Sequence, residues 1–380
     1  MKVILLPGTT KPWDGIEVYS YELANEFSKM GVEVTGIRIS LENKINEVNP
    51  NFKVIDVKTP NLKYSAYHIR VVMAYLKKYK LLREADLVHA VGGYYLGVRP
   101  FSLKKVVTII GASSLREKSP MKKIIRRAYS SILYRGASGY IFPNQFIKQE
   151  VNRYLKIKRS KVIPIGIDYK SLQVNESKEQ IREKLGLEKD SLIILYLGQL
   201  VNGKRLPETL RAFSLVSKEN PKARLVMVSW GYLKDDLESL AMELNILEKV
   251  MFVPPVKYED RKYYYKAADV FVMLGDSFGD GGISTAVMDA IGSGLPVIVS
   301  KLSPNVEVVK NGWNGFAVEP SNVSEVKEAI LKSAYNSNLG RNSLELAKKF
   351  SWREIAIQTL EFYKQLLEEQ NNPVQYSSLL

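Results

Sequence analysis

Residues 269–315 read DVFVMLGDSFGDGGISTAVMDAIGSGLPVIVSKLSPNVEVVKNGWNG. Residues 270–274 are an apolar run long enough for a buried strand. Gly279, Gly281 and Gly282 interrupt regular structure after it. Ser284 stands at an N-cap position, and Ala286, Val287, Ala290 and Ile291 form a helical apolar stripe. Gly292 and Gly294 stop that helix, and residues 296–299 begin the next strand. A glycine turn that feeds a helix N-terminus at the carboxyl end of a parallel strand makes an anion site. Its amides point outward and the helix dipole favours negative charge. Asp289 sits about one turn inside the helix, within reach of a ribose hydroxyl if the amides hold a diphosphate.

The same alternation runs outward in both directions. Residues 2–7 are a strand, residues 8–15 a glycine-bearing turn, and Ile16, Tyr19, Leu23 and Phe27 have helical spacing up to Gly31. A strand at 32–37 completes a βαβ unit. This turn lacks the G-x-G-x-x-G fingerprint, so no nicotinamide cofactor is inferred. A strand at 53–57, a helix over 64–83, and strands at 87–91, 105–110 and 140–143 follow. His68 reads as structural. His89 lies near the end of its strand, where a core position and a ligand-facing position are both open. A polar linker is expected at 173–179, with a domain boundary near 166–180, and residues 191–197 open a second set of βα units. Trp352, Ile355, Ala356, Leu360, Tyr363, Leu366 and Leu367 give the last helix an apolar stripe.

Composition bounds the function. With 380 residues, 46% apolar and 25% charged, the chain can form two α/β domains with sizeable cores. No apolar run approaches the roughly 20 residues that span a bilayer. Residues 1–7 suit a first strand better than a signal peptide. Cysteine is absent, which excludes disulfides and thiolate metal sites and fits a cytoplasmic protein. The charge is uneven. Residues 1–170 carry 30 basic and 13 acidic side chains, a net +17, and the remainder nets −2. Residues 99–161 hold 16 of those basic residues against two acidic ones. Such a face is either simply solvated or meets an anionic membrane, a lipid phosphate or nucleic acid. Nucleic acid lacks support beyond charge, because no aromatic platform, zinc or helix-turn-helix signature accompanies it. Within the basic region, a helix opening at Pro120 carries Lys122, Lys123, Arg126 and Arg127 among Met121, Ile124, Ile125, Ala128, Tyr129, Ile132 and Leu133. It reads either as a membrane-surface helix or as one packed on its own sheet with a charged outer face.

The 269–315 stretch resembles the donor-sugar loop of the family-4 glycosyltransferases of the GT-B fold (glycosyl transferases group 1). That pattern has two glutamates with seven residues between them, then Ala, small residues and Gly-x-Pro-Val. Asp289-Ala290 matches the second glutamate, and Gly294-Leu295-Pro296-Val297 follows in step. Glu307, Gly312, Asn314 and Gly315 match the next block. Gly281 fills the first glutamate's slot, and a one-residue shift of the loop would put Asp280 there. The turn at 8–15 resembles the family's Gly-Gly-(Ile/Val)-Glu loop, with Asp14 in place of the first glycine. Gly198-Gln199-Leu200 with Lys204 resembles Gly-Arg-Leu…Lys, with glutamine for arginine. Ile110 or Gly111 stands where the family often has a histidine. Residues 162–168 resemble the interdomain passage, and Phe350-Ser351-Trp352 the start of a last helix that returns to the first domain.

The resemblance implies an α/β chain of GT-B type, two Rossmann-like doubly wound domains facing across a cleft. Their expected bounds are 1–168 for the basic acceptor domain, 169–350 for the donor domain and 351–370 for the returning helix. It implies a retaining, metal-independent glycosyltransferase that needs no cofactor, the nucleotide-sugar being a co-substrate. The absence of Asp-x-Asp agrees with that type. The implied catalytic positions are Lys204, Asp280 and Gly281. The implied donor-binding positions are Gly15, Gly198, Gln199, Lys204, Arg205, Gly282, Ile283, Ser284, Thr285, Asp289 and Glu307. Asp289 would hold the ribose, and Lys204 with the amides around Ser284 and Thr285 the diphosphate. His89, Arg116, Lys122, Lys123, Arg126 and Arg127 are expected on the acceptor or membrane side. The expected partners are a UDP- or GDP-sugar, a lipid-linked or anionic acceptor and peripheral contact with an anionic cytoplasmic membrane face. The departures at Gln199, Gly281 and Ile110 keep a second reading open, a non-catalytic subunit that scaffolds an active partner.

Overall fold

The computed structural model describes residues 1–9, 15–40, 50–59, 67–111, 119–276 and 282–371. By its internal contacts the chain divides into two compact units, Met1–Gly166 with Trp352–Leu380, and Ile167–Ser351. Each is a parallel sheet with helices interleaved between its strands, the doubly wound α/β class that the resemblance implies.

The first unit's sheet has the order β3-β2-β1-β4-β5-β6-β7 among the described residues. Its strands are β1 (Lys2–Leu6), β2 (Glu33–Ser40), β3 (Lys53–Lys58), β4 (Leu87–Val91), β5 (Lys105–Thr108), β6 (Gly139–Phe142) and β7 (Ser160–Val162). All pairings are parallel. β4, β5 and β6 are buried along their whole length, because helices cover both faces of a parallel sheet. One cover is the Gly15–Lys29 helix, whose Phe27 meets Tyr363 of the Trp352–Asn371 helix edge to face at 5.7 Å between ring centroids. Trp352, at the start of that last helix, lies over Gly166. A Cβ on Gly166 would sit 2.3 Å from the indole, so only glycine fits there. The helix expected over 64–83 is two helices, Tyr67–Lys77 and Tyr79–Arg83, with Lys78 leaving helical geometry between them. Residues 60–66 lie outside the described residues.

The second sheet has the order β10-β9-β8-β11-β12-β13. Its strands are β8 (Leu192–Gln199), β9 (Ala223–Trp230), β10 (Val250–Val253), β11 (Val270–Met273), β12 (Val297–Ser300) and β13 (Gly315–Val318). The 269–315 stretch folds as strand, helix Thr285–Gly292 and strand. Gly294, with φ of 77°, closes that helix in the left-handed conformation.

The polar stretch at 173–179 is not all linker. Ser177 and Gln180 form a reciprocal capping box that starts the Lys178–Lys184 helix. From that helix the buried Arg182 reaches under the sheet. Its Nη2 pairs with Asp269 Oδ2 at 2.7 Å, and its Nε and Nη1 donate to the carbonyls of Ala267, Lys189 and Ser191. Asp269 also accepts from the Ile193 amide at 2.7 Å and pairs with Lys178. One carboxylate thereby ties the starts of β8 and β11 to a helix. Asp269→Asn leaves the enclosed guanidinium without its counter-charge and should cost the second unit about 3 kcal/mol. Urea denaturation followed by circular dichroism tests this, and an unchanged midpoint would count against it.

Candidate active site

The strand order of the second sheet reverses between β8 and β11, since β9 and β10 extend to one side and β12 and β13 to the other. Ligands in such sheets usually bind outside the carboxyl ends of the strands at this reversal. β8 ends in half-buried Gly198 and exposed Gln199. The loop that follows is held at two points. Leu200 donates its amide to Trp230 O at 2.8 Å, and the Asn202 amide donates to the Tyr232 hydroxyl at 3.1 Å. At its far end, Asp276 donates its amide to Gly203 O at 2.9 Å, which joins the β8 loop to the β11 loop. Arg205, left-handed at φ 55°, pairs with Glu208 at 3.0 Å and Asp276 at 3.5 Å. Half-buried Lys204 lies between these ties. Trp230 and Tyr232 are both exposed at the end of the neighbouring β9.

The helix Thr285–Gly292 follows the β11 loop. Ser284 occupies its N-cap position, but its hydroxyl makes no capping bond. Its amide instead donates to Asn305 Oδ1 at 2.7 Å, and the fully buried Asn305 is fixed by Nδ2 donating to Ser303 Oγ at 2.8 Å. This corrects the expectation that the Ser284 amide serves a diphosphate, because that donor is already used. The following amides, of Thr285 and Ala286, begin the helix and have no carbonyl partner within it. Exposed Glu307 sits on the same Pro304–Val308 turn as Asn305, which holds the Ser284 amide. Gly282 and Ile283 are buried. Asp280 and Gly281 lie outside the described residues.

Asp289 has a partner that sequence reading missed. Arg261, at the start of the Arg261–Ala267 helix, donates from Nε to Asp289 Oδ2 at 2.8 Å and from Nη2 to Oδ1 at 3.5 Å. The guanidinium carbon lies 3.3 Å from the centroid of the Tyr258 ring, and Nη1 donates to Tyr258 O. Burial raises the Asp289 carboxyl above its ordinary range, Arg261 pulls it back, and nearby Asp168 adds a smaller upward push. Asp289 is therefore a half-enclosed carboxylate oriented by an arginine, with acceptor capacity remaining. A partner 28 residues away, on another helix, leaves no local trace in the sequence.

The first unit corrects the sequence reading at two residues. His89 does not face a ligand. It is wholly buried on β4, with Nε2 2.7 Å from Thr108 Oγ1 and Nδ1 hydrogen-bonded to the Tyr363 hydroxyl. Tyr19 closes the network on Thr108 at 3.2 Å. Burial depresses His89 to about 3 and pushes Tyr19 up to about 12, so the cluster is uncharged at neutral pH. Arg127 is not on a free basic face either. Its Nε and Nη2 donate to the two oxygens of buried Glu150 at 2.9 and 3.0 Å, and Arg153 adds a third bond. Lys122 and Arg126 are exposed and Lys123 half-exposed on the Pro120–Tyr134 helix. Gly15 is exposed at the start of its helix. Arg116 lies outside the described residues, as do residues 10–14 ahead of Gly15. Among the described residues no three His, Cys, Asp or Glu side chains stand close enough to hold a metal ion.

Residues 177–350 match the family described as glycosyl transferases group 1, and residues 13–171 match Glycosyltransferase Family 4. An uncharacterised glycosyltransferase of Methanocaldococcus jannaschii is 30% identical over 216 residues, 55% of this chain and 54% of that protein. Alpha-monoglucosyldiacylglycerol synthase of Streptococcus pneumoniae is 30% identical over 183 residues, 46% of this chain and 41% of that protein. The chain thus matches about half the length of these curated relatives. Among solved structures, sucrose-phosphate synthase from Thermosynechococcus elongatus superposes with a TM-score of 0.78 at 20% identity, over 97% of this chain and 99% of that one. Anabaena HepE in complex with UDP and glucose gives 0.74 at 17% identity, over 96% and 99%.

Two buried groups give this geometry measurable consequences. His89 has a folded pKa near 3 against an ordinary 6.5, so the unfolded chain binds its proton first as pH falls. Stability should drop from pH 6.5 towards pH 3, by on the order of 4 kcal/mol from this group alone. His89→Gln should flatten that part of the profile of urea midpoint against pH, and identical slopes would refute the assignment. Asp289 is raised in the folded state, so its contribution has the opposite sign, stability falling as pH rises from its ordinary value through the raised one. Arg261→Met removes the counter-charge and extends that loss upward. The stability deficit of the variant relative to wild type should therefore grow as pH rises above the ordinary carboxyl range. A deficit independent of pH would mean that Arg261 acts only by packing.

Proposed function

We infer the function from one premise: the chain belongs to the family-4 glycosyltransferases of the GT-B fold. From it we propose that the protein moves a sugar from a UDP- or GDP-linked donor to a lipid-linked or otherwise anionic acceptor, with retention of configuration and without a metal ion. The observation that carries this reading is the strand-order reversal of the second sheet. There the loop bearing Lys204 is tied to the β11 loop, and the Thr285–Gly292 helix follows that loop with its Ser284 amide held by Asn305.

In this proposal Asp289, oriented by Arg261, accepts hydrogen bonds from the ribose. Lys204 and the amides of Thr285 and Ala286 hold the diphosphate and carry the charge that develops as it leaves. The bond from the anomeric carbon to the phosphate oxygen breaks, and a bond to the acceptor oxygen forms on the same face. The acceptor proton passes to the departing phosphate. Gln199 stands where the family has an arginine. It donates a hydrogen bond without charge, and Arg205 is engaged by Glu208 and Asp276, so more of the stabilisation falls on Lys204. The lipid side of the proposal draws support from the net +17 of residues 1–170 and from a relative named for a glucosylated diacylglycerol. No helix of the described residues is long and apolar enough to cross a membrane, and we place the protein peripherally on a cytoplasmic membrane face.

The uncharged Gln199 also favours a second reading, a non-catalytic subunit of the same fold that partners an active enzyme. Calorimetric titration with UDP and GDP addresses both. The proposal expects micromolar binding of one nucleotide, weakened about tenfold or more in Lys204→Ala and lost in Asp289→Ala. Failure of both nucleotides to bind would sink the donor site. Binding without turnover of any UDP- or GDP-sugar on lipid acceptors would favour the second reading.

A further inference from the structure

The Pro120–Tyr134 helix is inside out for a helix of a folded unit. The residues it buries are Ser130, Leu133 and Tyr134. Met121, Ile124, Ile125 and Ile132 are instead 73, 65, 60 and 60% exposed, with Ala128 and Tyr129 exposed among them. At 3.6 residues per turn these positions share one face, opposite the buried one. Exposed Lys122 and Arg126 run one turn apart along an edge of that face.

A second helix repeats the pattern. Tyr67–Lys77 buries Val71, Ala74 and Tyr75 completely and turns Ile69 and Leu76, 57 and 54% exposed, outward with half-exposed Val72 and Met73. These four positions follow i, i+3, i+4, i+7 spacing. The two helices are not remote, because both pack against the short Tyr95–Val98 helix. An apolar hollow lined by Ile69, Val72, Met73, Leu96, Arg99 and Pro100 lies beside it. The hollow's far wall is fixed from within, since buried Lys105 donates from Nζ to the carbonyls of Val98, Arg99 and Phe101.

We propose that these two outward faces form one surface that seats in the headgroup and upper acyl region of an anionic bilayer. This deepens the membrane-face reading of the function, on which it rests, by making apolar insertion the anchor and the cations a guide. Several exposed aliphatic side chains on adjacent helices are more than scattered surface residues. Charge complementarity selects the occupant. Neither helix contains an acidic residue, while Arg70, Lys77, Lys122, Lys123, Arg126 and Arg127 are all on them. A second copy meeting this face would bring the same positive charges against it. Anionic headgroups meet the cations and acyl chains meet the isoleucines, as in interfacial helices generally.

The test is sedimentation of the full chain with vesicles of phosphatidylglycerol and phosphatidylcholine, or phosphatidylcholine alone, at low and high salt. Binding should need the anionic lipid at low salt and persist in part at high salt, because apolar insertion is not screened. The double variant Ile124→Glu, Ile125→Glu and the single variant Ile69→Glu should each weaken binding about tenfold or more, with unchanged melting temperatures. No vesicle binding, or binding indifferent to these variants, would overturn the proposal. So would a concentration-dependent dimer, seen by analytical ultracentrifugation, that the variants dissociate. UDP or GDP titration on the same samples keeps the two proposals apart. Nucleotide binding without vesicle binding removes the surface alone, and vesicle binding without nucleotide binding removes the donor site alone.

Discussion

A parallel sheet covered by helices on both faces has no wet side, and that constraint arranges both units. Along β4, β5, β11 and β12 every side chain is enclosed, so a polar group there needs a partner inside the protein. His89 and Thr108 show the condition met in full, with Tyr19 and Tyr363 completing the network. What remains for chemistry is the strand ends. The reversal of strand order marks the ends where ligands usually bind in such sheets, and here the Asp276 amide and the Gly203 carbonyl join the two loops that leave them.

Holding helices in place in both units falls largely to arginine. Arg182 fastens a helix to the starts of β8 and β11, Arg261 orients Asp289, and Arg127 binds Glu150 through both of its oxygens. A planar guanidinium presents its donors as a rigid fork that can meet both oxygens of one carboxylate, a geometry that a lysine ammonium lacks. Each of these carboxylates sits on or beside a different helix, so the pairs set helix positions that apolar packing alone would leave free to slide.

The strands and the helix after β11 were legible because apolar runs and glycine stops are local signals. The signals that failed are relational. Asn305 takes the Ser284 amide from 21 residues away, and Arg261 takes Asp289 from 28. Neither spacing is a motif. The Ser177–Gln180 box was hidden in a polar run that also reads as a linker. The Pro120–Tyr134 helix failed differently. Its apolar residues occupy more than one face, and periodicity alone cannot say which face turns inward. Burial of Leu133 and Tyr134 rather than of the isoleucines resolves it.

That orientation changes how the charge asymmetry is understood. A net +17 over residues 1–170 invites a purely electrostatic account, in which a basic face hovers over anionic headgroups and releases them in salt. The cations of the Pro120–Tyr134 helix are divided, however. Arg127 is committed to Glu150, while Lys122 and Arg126 border an aliphatic face. A helix built only for charge would not expose isoleucine at three positions, since each exposed apolar side chain raises the risk of aggregation in water. Their cost is offset only where they leave water. The second unit, close to neutral, carries no comparable face in its Thr285–Gly292 helix, whose Ala286, Val287, Ala290 and Ile291 are all buried. Two amphipathic helices of one chain thus solve opposite problems. One buries its apolar residues against its own sheet, which holds a carboxylate in place, and the other turns most of them outward.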